Sequence, residues 1–540
     1  MKIINLFIIR LLLPLALFFL IGCQNETAQV PEMDDNSDHL GLVQIEVTGD
    51  EEAQNEFIRG LLLLHSFEYT DSRAAFRKAR EIDSNMVMAY WGEAMTFNHP
   101  LWRGQKTEEA REVLEMLGET EEVRMSKAQT ELERDFIHSL DFLYGEGEKN
   151  ERDVAYSEFL GELHEKYPEN HEVSAFYALS ILGAVPVGRD NEAYEKGAKV
   201  ALSILQENPD HPGALHYSIH SYDDPYHAHL AKNVADRYSE VAPDAAHALH
   251  MPSHIYVALG LWHDVVRSNI ASWNASVNRM KTKELDQDAV SYHALHWLLY
   301  GYLQQGKTAM ADSIMSNMQR YVEISPSINA RSYMIEMMGN YLSETGEWTH
   351  PVADIEIDLD SLNIVDQTEY YFIKGMRDHE KGLSDFLFMT TDKLRREIER
   401  AELFVSDEGL PLCSSASSFI FPNRLDIEQS KVMEFLLKAS HADLEGKDDE
   451  AERLFKSSVE LESSLSYLYG PPRIPYPPSE MYGDWLMERS RYAEALEQYD
   501  KAMVQGPGRT SVLEKAIDAA EAQGLKEKAA AFQDELDTIY

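Results

Sequence analysis

Along most of the chain apolar residues return every three or four positions, giving each helical stretch one oily stripe and one polar face. The period predicts amphipathic helices over residues 107–117, 127–143, 153–167, 171–182 and 191–207. Further ones follow over 292–306 and 308–318. Pro168 ends one of these stretches, since proline lacks the N–H that the next turn needs and disfavours helical backbone in the residue before it. No strand-like alternation of useful length competes, so the expected fold class is all-α.

The helical pattern also repeats. A shift of 34 residues places His216 on His250, His220 on His254, Tyr222 on Tyr256 and Pro209 on Pro243. Thirty-four residues is the period of a helix-turn-helix unit that buries its apolar face only against the next unit. Gly60 falls where two helices of such a unit come close, and Phe76 and Ala79 fall on the inner face of the second helix. Gly260 with Trp262, and Gly346 with Trp348, have the form of a small-residue turn followed by an aromatic plug, with an insertion near residues 280–288. Beyond the Ser-rich and Pro-containing stretch 404–426, Ala451 and Phe455 mark one more unit. Gly483, Ala495, Tyr499, Ala502 and Pro507 mark the cleanest one, and 511–536 has the look of a capping hairpin. The expected organisation is an amino-terminal array over 51–403, a loop or hinge over 404–426, and carboxy-terminal units over 427–540.

The strings LLHSF (63–67), AYWGEAM (89–95), HPLW (99–102), HALHMPSHI (247–255) and GPP (470–472) resemble a large group of bacterial tetratricopeptide-repeat proteins. The resemblance covers nearly all of the chain after residue 50. It implies a superhelical solenoid of antiparallel helix pairs, whose first helices line a concave groove that binds proteins or peptides. It does not imply an enzyme, because the repeat itself carries no chemistry.

On that alignment the groove is rich in imidazole. Of the 20 histidines, eleven lie between His211 and His296. His211, His227, His229 and His263 read as solvent or turn residues. His216, His220 and Asp223 share one stripe, His247, His250 and His254 the next, and His293 and His296 with Tyr300 the one after. Three uses are open. Three or four neutral imidazoles with Asp223 or Asp224 would suit zinc or copper and could activate water. The same face, with Tyr222, Tyr256 and Tyr300, could instead form a polar and aromatic floor for a peptide or glycan, or simply satisfy itself in a tight superhelix. HxxxH lacks the glutamate of the HExxH protease motif. His65 and His99 fall at the groove edge as packing or partner contacts, and Arg331 and Glu336 on a later groove helix could hold a charged ligand.

The amino terminus changes the address. Lys2 and Arg10 flank an apolar run over 11–21 that is too short to span a bilayer and reads as a secretory signal over 1–22. Leu20-Ile21-Gly22-Cys23 resembles a bacterial lipobox, which implies acylation of Cys23 and an outer-membrane anchor, since Gln24 replaces the aspartate of inner-membrane retention. Residues 23–50 read as an acidic tether. With 49 basic and 93 acidic residues the net charge is −44, which repels nucleic acid and anionic lipid. Cys413 is the only other cysteine, so no internal disulfide is expected after processing. Glycine-rich phosphate loops, GxSxG elbows and CxxC pairs do not occur. The expectation is a lipid-anchored scaffold for a protein, peptide or extracellular polymer, by analogy with an accessory part in polysaccharide use; the alternative is a zinc or copper enzyme built on the histidines.

Overall fold

The computed structural model describes residues 39–406, 409–410 and 421–540. The signal segment, Cys23, the tether as far as residue 38 and Cys413 lie outside the described residues. Among the described residues no helix is long and apolar enough to cross a membrane.

Helix pairs follow one another through the chain. Glu51–His65 packs on Tyr69–Ile82, Lys149–Lys166 on His171–Gly183, and Asn191–Leu205 on Pro212–Ser221. Trp262–Thr282 packs on Tyr292–Gln304, Ile364–Glu380 on Ser384–Ala401, and Arg424–Leu444 on Asp448–Ser464. Pro478–Glu488 with Tyr492–Gln505, and Thr510–Ala522 with Lys526–Asp537, complete the series. Many helices open on a side chain that accepts an otherwise unpaired N–H, as Asn170, Asp190, Ser291 and Ser327 do. Among the described residues the one sheet is a two-residue antiparallel pair, Asn98–His99 with Gly104–Gln105, closed by Pro100–Trp102 and by Arg103 in the left-handed region at φ 52°.

Glycine sets the spacing of the first units. A Cβ on Gly60 would sit 2.8 Å from the Phe76 ring, and one on Gly92 only 2.4 Å from it. Phe76 itself is fully buried between those two helices. Gly92→Val should therefore destabilise the protein by about 2–3 kcal/mol through overpacking, a loss that the better helix propensity of valine offsets by only a few tenths. A denaturant midpoint equal to that of the parent would contradict this wedge.

Two parts of the chain are arranged differently from expectation. Residues 39–50, grouped with the tether from their charge, are docked. Leu40 and Val43 are buried, Leu42 donates its N–H to the Asp210 carbonyl at 2.9 Å, and Asn208 Nδ2 donates to the Leu42 carbonyl at 2.9 Å. Thr48 N–H and Oγ1 both donate to Glu133 Oε1 at 2.7 Å. The docking satisfies an extended backbone that would otherwise need water.

The units after 426 fold back onto the central helices rather than swinging from a hinge. Trp262 Nε1 donates to the Gly508 carbonyl at 2.6 Å, and Thr510 N–H donates to Gln304 Oε1 at 2.8 Å. Buried Arg509 bridges Glu344 at 2.6 Å and Glu480 at 2.7 Å. Leu513, Leu536 and Ile539 share a core with Trp262. Gly260 faces this junction at φ 68°, with the Pro507 carbonyl oxygen 3.0 Å from where a Cβ would lie. The turn read as an aromatic plug is thus also a docking face.

Between these carboxy-terminal units runs the connector over residues 465–477, which crosses several of the inner helices. Ser466 Oγ accepts the Arg189 N–H at 3.2 Å, Tyr469 packs on His254 with ring centroids 5.4 Å apart, and Gly470 presses on Trp297. The Pro472 carbonyl accepts from Asn340 Nδ2 at 3.0 Å, and Tyr476 stacks on Trp348 at 5.8 Å. A segment of the chain itself therefore lies along the face where the sequence expected an outside peptide.

Candidate metal centre

The 34-residue repeat places the same imidazole pair on two neighbouring inner helices. Pro212–Ser221 carries His216 and His220 four residues apart, on one side of the helix. The equivalent helix is interrupted at Pro252 into Ala246–His250 and Pro252–Ala258, with His250 and His254 on either side of the break. Tyr292–Gln304 then supplies His293.

These side chains gather into two adjoining triads. The ligand atoms of His216, His220 and His247 lie within 4.8 Å of one another, and so do those of His250, His254 and His293. His216, His250 and His254 are almost completely buried, while His220, His247 and His293 retain partial exposure.

Within the second triad the hydrogen bonds assign the tautomers. Asn269 Nδ2 donates to the Val265 carbonyl at 2.8 Å, which turns its Oδ1 toward His250 Nδ1 at 2.7 Å. His254 Nδ1 lies 2.5 Å from the Asp223 carboxylate. Both Nδ1 atoms are therefore N–H donors, and both Nε2 atoms carry lone pairs. Those two Nε2 atoms face each other at 3.1 Å. Facing lone pairs at that distance repel unless a cation lies between them. Burial pushes the His250 imidazole well below its usual value, with His254 adding to the effect. A metal ion fits: bonds of about 2.0–2.1 Å put two ligand nitrogens about 2.9–3.4 Å apart for angles from square to tetrahedral.

The first triad has the same character. His216 Nδ1 donates to the His65 carbonyl at 2.7 Å, leaving Nε2 to face His220 Nε2 at 3.1 Å. His247 Nε2 is buried and has no hydrogen-bond partner among the described residues. Burial holds His216, His220 and His247 well below the usual imidazole range. The His65 carbonyl behind His216, like Asn269 behind His250 and Asp223 behind His254, is the kind of support that fixes a metal ligand's orientation.

Other expected residues take supporting or separate places. Asp223 orients His254 instead of completing a ligand set, and Asp224 pairs with Arg189 at 2.9 Å and His227 at 2.8 Å. His296 turns away, with Nε2 2.6 Å from Asn340 Oδ1 and Nδ1 3.3 Å from Glu336. Tyr300 is buried against Trp262 with ring centroids 5.5 Å apart, away from the triads. Arg331 is tied to the Asp358 and Ser327 carbonyls, and Glu336 bonds Arg473 of the connector at 2.6 Å. His99 stacks on Tyr69 at 3.9 Å.

His211, read from sequence as solvent-like, is fully buried: its Nδ1 accepts the Ala214 N–H at 3.1 Å, capping the helix, and its Nε2 donates to Glu172 at 3.1 Å. His65 contacts the same carboxylate at 2.7 Å and the Tyr217 hydroxyl at 2.9 Å. Burial alone would raise the Glu172 carboxyl, but His211 and His65 outweigh it and hold the group far below the ordinary range. Every atom of that network is satisfied, and it fixes the His65 carbonyl on which His216 rests.

Residues that sequence reasoning did not single out complete the surroundings. The Phe67 ring lies 4.3 Å from His216 and 5.7 Å from His247, carried by left-handed backbone at φ 56°, which a bulky residue seldom adopts. Trp297 touches His250, His254 and His293 at centroid distances of 4.9, 4.5 and 5.4 Å. The Tyr333 hydroxyl is 3.1 Å from His293 Nδ1. These rings make an aromatic shell of low polarity, in which ligand-to-ion attraction is weakly screened.

No family model matches the chain, and no curated protein matches it. Among solved structures it is similar to the Cut9–Hcn1 hetero-tetramer of the APC/C, with 11% identity, 90% of this chain and 73% of that chain covered, and a TM-score of 0.35. Human IFIT1 with m7Gppp-AAAA gives 11%, 92% and 96%, and 0.37; yeast Tom70 gives 10%, 88% and 96%, and 0.33. At these values the likeness says nothing about what the chain binds. The helix pairs and their period define the class: an all-α, tetratricopeptide-type helical-repeat solenoid.

Proposed function

We propose that this chain is a lipid-anchored helical-repeat protein that holds a transition-metal ion, zinc or copper, on its inner histidines. The observation that carries this reading is the pair His250 and His254, whose Nε2 lone pairs face each other at 3.1 Å while Asn269 and Asp223 hold both opposite nitrogens. Imidazole donors suit zinc, copper, iron and nickel, and copper binds most tightly in the divalent series. The connector over 465–477 favours an ion over an outside peptide as the ligand of this face, because Tyr469, Gly470, Pro472 and Arg473 already cover the inner helices from His254 to Glu369.

Full-length protein purified without a histidine tag and reconstituted should retain stoichiometric zinc or copper after desalting. His250→Ala with His254→Ala should lower the retained metal at least twofold while the far-ultraviolet circular dichroism stays helical. Fewer than one ion per five chains in the parent protein would overturn the reading. Anchoring is supported by Leu20-Ile21-Gly22-Cys23. Cys23→Ser should move the protein from the detergent phase to the aqueous phase in a phase-partition assay.

A further inference from the structure

The two triads touch, and this juxtaposition goes further than a single ion site. Across the boundary, the His220 and His254 ring centroids are 5.7 Å apart, and those of His247 and His250 are 6.2 Å apart. Within the triads the separations run from 4.4 Å for His250 and His293 to 6.2 Å for His254 and His293. The boundary is therefore no wider than the triads themselves. His216 and His220 repeat as His250 and His254 on the neighbouring inner helix, which is why the two sets are similar and adjacent.

We infer that the six imidazoles of His216, His220, His247, His250, His254 and His293 hold two copper ions as one coupled centre that binds dioxygen between them. This rests on the metal-binding reading above and narrows it to an element, a count and a ligand. Two-metal sites bridged by one small group place their ions about 3.5–4 Å apart, and the contact of the triads permits such a spacing.

The donor set selects copper. All six ligands are neutral nitrogens, and neither triad contains a carboxylate oxygen. Two divalent ions would bring four positive charges into a nearly dry site, and uncompensated buried charge is costly. Nearby carboxylates are few: Asp223 supports His254, Glu68 accepts the backbone N–H of His247 at 3.0 Å, and Asp224 is matched by Arg189. Two carboxylates balance two Cu(I) ions, whereas they leave half the charge of two Zn(II) ions uncovered.

The redox step balances without another reactant. Each Cu(I) gives up one electron, dioxygen takes both, and the product is peroxide bridging two Cu(II) ions. No bond other than the second O–O bond is broken and no proton moves. Phe67, Trp297 and Tyr333 wall the site with aromatic rings, while partly exposed His220, His247 and His293 mark the side from which a small molecule enters.

The test uses the full chain loaded anaerobically with Cu(I) and then exposed to air. Two coppers retained per chain, uptake of one dioxygen per two coppers, a peroxide-to-copper charge-transfer band and a silent electron paramagnetic resonance spectrum are the expected results. His220→Ala and His293→Ala, chosen as partly exposed ligands to spare the fold, should each halve the copper retained and give the ordinary Cu(II) signal after oxidation. Two coppers that both show that signal would overturn the coupling, and so would one copper per chain; either leaves the metal-binding reading intact. Retention of zinc in preference to copper from an equimolar mixture would overturn the choice of element. Retention of neither metal would remove both readings.

Discussion

Replacing Arg473 by alanine should cost the fold about 3 kcal/mol, the lower end of the range for removing one partner of a buried ion pair, because the guanidinium keeps 23% of its side-chain area exposed. Arg473 bonds Glu336 at 2.6 Å, Glu369 at 3.4 Å and, more closely, Asp366. Glu369 and Asp366 are almost fully buried. Burial raises both carboxyls against the pull of Arg473, while for Glu336 that pull overcomes burial and lowers it. Without the arginine three carboxylates would face one another, so the loss should be largest at high pH and shrink toward pH 5 as they take up protons. Arg473→Lys should recover part of the loss, since an ammonium restores the charge but not the planar fork. Thermal melts of the three proteins across pH check this. An alanine variant that melts with the parent at pH 8 would show that the connector does not depend on the pair.

The second large effect is on the metal-free protein, which should lose stability as pH falls from about 7 toward 5. Burial holds His216, His220, His247, His250 and His293 well below the ordinary imidazole value of about 6.5. Below 6.5 the unfolded chain therefore binds protons that the folded chain refuses. Stability rises with pH wherever the unfolded state binds more protons, so the fold is favoured above that value and penalised beneath it. Several such groups act together, and the drop should amount to several kcal/mol. Substituting His247 and His250 by glutamine should flatten the profile. An apo protein whose melting temperature is level between pH 7.5 and 5 would contradict the burial of these rings.

The period of 34 and the stripes of His216, His220, His250 and His254 were legible because both follow from helical geometry along one chain. So were the close approaches at Gly60 and the plug at Trp262. The partner of each ring was not, since it lies far off in sequence or on a different helix: Asn269 for His250, the His65 carbonyl for His216, Tyr333 for His293. His211 looked solvent-like among Pro209, Asp210 and Pro212, yet it caps a helix and meets Glu172, 39 residues earlier. The alternation of Val43, Ile45 and Val47 was a signal for the docked segment that acidic composition obscured. The stiff Gly470-Pro471-Pro472 run marked a connector, but no local pattern says that it would come to rest against Trp297.

That resting place sets a threshold for rivals. A covalently tethered segment competes as though present at millimolar concentration or above, without paying the entropy of bringing two molecules together. A free peptide of ordinary micromolar affinity would displace little of it, whereas a diatomic gas or a bare ion needs only the gaps between rings. On the metal-site reading, visitors to this face would be sorted by size before chemistry discriminates among them.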